Sequence, residues 1–154
     1  MKKIVFAAAA LAAMAITAPA FADSGTNASI GYTDITGSGY SFGLLNARVG
    51  WNSNGIGVEG EAGTGLQSSH GVKISSEFGG FVTGQVEASK DFDLFARVGY
   101  ATVSATGGSD SGFAYGVGAQ MFFDMANGVR VEYTNYHLGS STSSYGISYV
   151  RKFK

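Results

Sequence analysis

Seven charged side chains carry the chemistry this sequence could do: Arg48, Glu59, Glu61, Glu87, Arg97, Arg130 and Glu132. Each stands opposite an apolar set in a period-two pattern, near the middle of its stretch of chain. Three guanidinium groups and four carboxylates drawn into one narrow space should pair, because an unpartnered buried charge costs on the order of several kcal/mol. That chemistry is ion pairing, and its plainest use is a polar filling. The ingredients of acyl transfer are sparser. His70 and His137 are the two histidines, and Ser140, Ser141, Ser143 and Ser144 follow the second. A triad also needs an acid to orient its histidine, and none lies near His137 in the chain. The glycine runs lack the GK[ST] ending of a phosphate loop. No His/Asp/Glu cluster has metal-ligand spacing, so neither metal nor cofactor is expected.

Strands must position these residues. In Gly128 to Gly139, GVRVEYTNYHLG, Val129, Val131 and Tyr133 point one way while Arg130, Glu132, Thr134 and Tyr136 point the other, which is the periodicity of a strand. The pattern recurs over Asn27 to Ile35, Tyr40 to Trp51, Gly55 to Thr64, Phe78 to Ala88, Leu94 to Val103, Gly112 to Phe122 and Tyr145 to Phe153, making eight strands. A helix is excluded throughout, since glycine and β-branched residues recur every few positions. Val72 to Glu77 follows no clear alternation. The connections alternate between short ones (Asn52 to Asn54, Ser89 to Asp93, Asp124 to Asn127) and mostly longer polar ones over Gly65 to Gly71, Ser104 to Ser111 and Leu138 to Ser144; Thr36 to Gly39 is short too.

The N-terminus supplies the compartment. Lys2 and Lys3 precede an apolar run from Ile4 to Ile16 and the small-residue site Ala20-Phe21-Ala22, the pattern of a secretory leader. Residues 1–22 are therefore expected to be removed, leaving one domain over residues 23–154. The eight remaining Lys and Arg against eleven Asp and Glu give a net charge of −3, with no basic patch to suggest nucleic acid. Cysteine is absent, so a small exported domain needs another means of holding together. No second apolar run is long enough for a transmembrane helix, so the domain either is soluble or crosses a membrane as strands.

The polar faces favour the membrane. In a soluble sandwich the charged faces would meet water; in a small barrel in lipid they face the lumen. The same faces hold Gly31, Gly50, Gly57, Gly63, Gly99, Gly116 and Gly118, small residues suited to a narrow lumen and unusual on solvent-facing strands. Strands of about ten residues at roughly 45° span the apolar band of an outer membrane. Aromatic residues gather near the strand ends, with Trp51, Phe122, Phe123, Tyr149 and Phe153 towards the short turns and Tyr32, Tyr40, Tyr100, Phe113 and Tyr145 towards the other side. Two such girdles mark the two membrane interfaces; Trp51, Tyr100, Phe113, Tyr145 and Phe153 are the chief candidates. The fold expected is an all-β, eight-stranded, antiparallel up-and-down transmembrane barrel.

The leader, the eight strands, FARVGY, GFAYGVGAQ, VRVEYTNYHLG and the closing GISYVRKF resemble the eight-stranded outer membrane barrels that include OmpX-type, opacity-type and OmpA transmembrane-domain proteins. The resemblance spans the mature chain and implies the cell outer membrane, its lipids, the barrel assembly machinery and periplasmic chaperones as surroundings, and a monomer. By the same resemblance Ile147, Tyr149 and Phe153 form the C-terminal assembly signal. Lys154 after the phenylalanine and Arg151 on the outward face depart from that pattern. The resemblance leaves three functional readings: a filled barrel serving envelope structure or surface contacts, a narrow channel, or an outer membrane lipid-modifying enzyme. The first fits best, because an eight-stranded interior is just wide enough for side chains to fill and the polar loops lack the aromatic and arginine anchors of a strong interface.

Overall fold

The computed structural model describes residues 24–37, 39–66, 68–69 and 71–153; the expected leader over residues 1–22, His70 and Lys154 lie outside them. Eight strands alternate in direction: β1 (Gly25–Gly37), β2 (Tyr40–Ser53), β3 (Ile56–Gly65), β4 (Val72–Ser89), β5 (Phe92–Ala105), β6 (Gly108–Phe122), β7 (Asn127–Leu138) and β8 (Ser140–Phe153). Each pairs antiparallel with its neighbour in sequence. β1 also pairs with β8, from Thr26↔Phe153 to Thr36↔Ser143, so the sheet closes and every strand has two partners. Closure satisfies the backbone without water, the condition for crossing a bilayer as strands.

Exposure is inverted relative to a soluble domain. Val49, Val58, Phe113 and Met121 are more than half exposed, while Arg48, Glu61, Arg97 and Arg130 are each 5% exposed or less. Alternation of side chains across each strand makes one face a lipid-compatible wall and the other a packed polar interior.

The two ends differ. At the end holding both strand termini, β2 turns into β3 through Asn54 and Gly55, at φ 51° and 79°, the pair of positive φ angles that a type I′ hairpin demands. At the far end the strands run farther than the polar composition suggests. Ser104 to Ser111 is a ladder rather than a loop, pairing up to Ala105↔Gly108 around Thr106-Gly107, and Leu138 pairs with Ser140 across Gly139. Only the link between β3 and β4 is longer, with Ser68–Ser69 pairing back on β4. The serines and threonines here sustain strands because neighbouring strands supply the hydrogen bonds.

β4 also contains the unassigned segment Val72 to Glu77. Its register shifts between Ile74 and Ser76, and this bulge lets both Ile74 and Glu77 face inward. By contrast β8 is regular from end to end: Val150 is fully buried, Arg151 faces outward with its guanidinium 5.7 Å from the Phe153 ring, and Lys152 turns in.

Candidate functional site: the charged lumen

Six of the seven charged residues meet in the middle of the barrel. Glu59 and Glu61 stand two apart on β3, and Arg130 and Glu132 two apart on β7, so each pair shares the inward face. Arg48 on β2 is in register with Glu61, and Arg97 projects from β5. Arg97 is the hub: its Nη1 lies 3.0 Å from Glu59 Oε1 and 2.8 Å from Glu61 Oε2, and its Nη2 lies 3.2 Å from Glu132 Oε1. Arg48 pairs with Glu61 through Nε and with Glu132 through Nη2. Arg130 reaches Glu59 at 2.6 Å and Glu132 at 3.1 Å. Every carboxylate bridges two or three guanidinium groups, the arrangement that offsets the desolvation of buried ions.

Groups that the charge pattern alone did not mark complete the cluster. Arg97 also donates to Thr134 Oγ1 at 3.0 Å, and Tyr136 donates to Glu61 Oε1 at 3.4 Å. The Arg97 guanidinium lies 4.1 Å from the Phe81 ring centroid, and that of Arg130 lies 4.0 Å from Phe95. Each cation over a ring is worth about 0.5–2 kcal/mol. Phe81 and Phe95 share parity with Gln85 and Arg97 on their strands, which is the signal that would have placed them inside.

Glu87 stands apart. It is half-buried at the terminal-end mouth, and among the described residues it makes no ion pair with the three arginines. A second register shift between Glu87 and Ser89 accompanies its position near the rim. There it lines a cavity of about 250 Å³ with Asn52, Gln85, Asp93 and Lys152. Asp93, expected in a turn, is buried within β5 and accepts Gln85 Nε2 at 2.7 Å and Lys152 Nζ at 3.1 Å. Phe122 also belongs to this mouth: it is buried, with Lys152 Nζ 3.8 Å above its ring, and not in the outer girdle, because its parity is that of Gln120. At the far end the lumen holds a cluster of Ile35, Leu44 and Ile74, packed by Phe42 and Val103. The interior thus runs from a polar mouth through the charge network to an apolar seal.

On the outside, Trp51 and Phe153 are exposed at the terminal end, and Tyr100, Phe113 and Tyr145 towards the far end. The Tyr100 and Phe113 rings meet edge to face at 5.6 Å. Ile147 and Tyr149 face outward with Phe153 on β8. His137 is exposed with its ring 5.6 Å from that of Tyr115, while Ser141, opposite it in register, donates to Asn135 Oδ1 at 3.3 Å. Among the described residues no hydrogen bond orients His137 towards a serine.

A profile of the outer membrane protein beta-barrel domain matches residues 4–153. Among solved structures, the N-terminal barrel domain of Pseudomonas aeruginosa OprF aligns with a TM-score of 0.67 at 10% identity, over 85% of this chain and all of that one. Ail, the attachment invasion locus protein of Yersinia pestis, aligns at 0.63 and 15% identity over 86% of this chain and all of its own. Neisserial surface protein A aligns at 0.61 and 11% identity, over 84% and 95%. At these identities the likeness is one of fold. No curated protein matches the chain.

Proposed function

Because the chain belongs to the outer membrane protein beta-barrel family, we propose that it is a small integral outer membrane barrel whose filled lumen serves stability rather than passage, and whose role is in envelope structure or surface contacts. On this reading residues 1–22 are a removed leader, and Ile147, Tyr149 and Phe153 are read by the barrel assembly machinery. The observation that carries it is the balance of the interior: Arg48, Arg97 and Arg130 are matched by Glu59, Glu61 and Glu132, every one buried and paired. A conducting path needs mobile charges and room for water. Ions held between two or three partners offer neither, and the cluster around Leu44 lies beyond them.

The test is conductance of the protein in a planar bilayer, with an unheated gel shift to prove that the barrel has formed. A folded and silent barrel is expected. Discrete, reproducible openings whose size changes in Arg48→Ala or Glu132→Ala would replace this reading with that of a narrow channel.

A further inference from the structure

One inward acid takes no part in the network. Glu77 on β4 is fully buried, and neither of its carboxyl oxygens has a hydrogen-bond partner in good geometry. It lies one residue beyond Phe78, after which the described outward positions of β4 are the polar Ser75 and Lys73, and so at the far-end edge of the strand's apolar face. The bulge after Ile74 turns it inward. Its neighbours in the ladder are Gly63 and Val103, and a Cβ on Gly63 would lie 3.1 Å from its Oε2. Val103 and Ile74 belong to the apolar seal, so the carboxyl lies between that seal and the charges.

The charges there are already balanced. The groups that act on Glu77 are Glu61 from β3, Arg48 from β2, Arg97 from β5 and Tyr136 from β7. Both arginines are engaged with Glu61 and Glu132, and the Tyr136 hydroxyl, 3.4 Å from Glu61 Oε1, is shared as a loose donor between Glu61 and Glu77. An ionised Glu77 would be a fourth negative charge among three arginines, close to Glu61 and cut off from water, the situation in which a carboxyl stays neutral.

We propose that Glu77 is the proton-binding site of the lumen, a neutral acid between seal and network whose ionisation sets it in competition with Glu61 for Arg48 and Arg97. The barrel would thereby carry a pH-sensitive catch at its outward end, going beyond the structural role proposed above. The sign follows from linkage. The folded state holds a proton that the unfolded chain releases, so stability falls as pH rises until Glu77 ionises in the folded barrel.

Two measurements on the detergent-purified protein test this. In infrared difference spectra, the wild type at mildly acidic pH, above the ordinary carboxyl range, should show a protonated-carboxyl C=O band that fades as pH rises through neutrality and is missing from Glu77→Gln. In denaturant unfolding, the wild-type equilibrium should shift towards unfolding by about tenfold or more between mildly acidic and neutral pH relative to Glu77→Gln. Gln mimics the neutral acid, so this variant should fold and give the native gel band. A carboxylate already at mildly acidic pH, with no band lost in the variant, would overturn the proposal, as would a folded Glu77→Gln barrel that keeps the full wild-type pH dependence. Should that variant not fold, the fading of the wild-type band still decides the protonation state.

Discussion

Arg130 holds Glu59 with two nitrogens, Nη1 at 2.6 Å and Nη2 at 3.2 Å, and the two residues stand on β7 and β3, four strands apart whichever way the ring is followed. The pair therefore ties opposite walls of the barrel together across its diameter. Backbone ladders join neighbours only. The interior charges supply the cross-bracing, and their loss is expected to be felt by the whole ring.

Arg97 is where this should be largest. Arg97→Ala leaves Glu59, Glu61 and Glu132 each short of a cation and uncovers Phe81. Breaking a buried network from one side costs about 3–5 kcal/mol, to be read as a fall in the urea midpoint. Trp51, the single tryptophan, sits exposed on the lipid face and reports the transition by its emission. Arg97→Lys should recover little, since one ammonium cannot replace a planar fork. A loss below about 1 kcal/mol for the alanine variant would mean that the network is energetically idle.

Gly118 tests the packing beneath the charges. A Cβ there would lie 2.4 Å from Phe95 Cζ and 2.4 Å from the Val131 carbonyl oxygen, and Phe95 in turn supports Arg130. Gly118→Ala should cost about 1–3 kcal/mol by overpacking, and Gly118→Val should abolish the heat-sensitive gel shift. A valine variant that folds normally would show that the lumen has slack.

The turn between β6 and β7 offers a pH prediction outside the membrane. Asp124 accepts the Asn127 side-chain amide at 2.8 Å and the backbone N–H groups of Ala126 and Asn127 at 2.7 and 2.6 Å. The Asn127 bond first, and the backbone bonds after it, hold the carboxyl below its ordinary range. A depressed acid stabilises its turn above the unfolded value and stops doing so as pH falls through the folded one. Amide exchange at Ala126 and Asn127 should accordingly quicken in acid, and Asp124→Ala should show the fast exchange already at neutral pH. Unchanged exchange in the variant would remove the capping role.

Phe153 closes the seam. It is in register with Thr26 in the last row of the β1–β8 ladder and faces outward. Phe153→Ala should lower the amount of folded barrel recovered from outer membranes several-fold while leaving refolding in detergent nearly intact. Equal losses in both settings would assign the residue to stability rather than to assembly.

Period-two alternation carried most of this fold in plain view: Val129 to Tyr136 in β7, or Leu45 to Trp51 in β2, could face only one way once the other strands agreed. The charged interior was legible for the same reason, since Arg48, Arg97 and Arg130 each oppose apolar neighbours. What escaped lay where parity fails or composition misleads. The bulge after Ile74 hid Glu77, the rim position hid the separate setting of Glu87, and Phe122 passed for a girdle residue although its parity was inward. The Ser- and Gly-rich ends of β5, β6 and β8 read as loops because pairing partners, not side chains, make them strands.

The pairing of Thr26 with Phe153 places the start of the first strand beside the end of the last at one rim. Topologically the chain is a ring that has been cut, and the cut could be moved. Joining Lys154 to Ser24 through a short linker and opening the chain at Asn54-Gly55 would preserve every ladder and every interior ion pair. The last strand to be made would then be β2, ending near Trp51 instead of Phe153. Such a circular permutant would ask whether the information that shapes the finished barrel is all that the closing strand holds, or whether an address to the membrane goes with it.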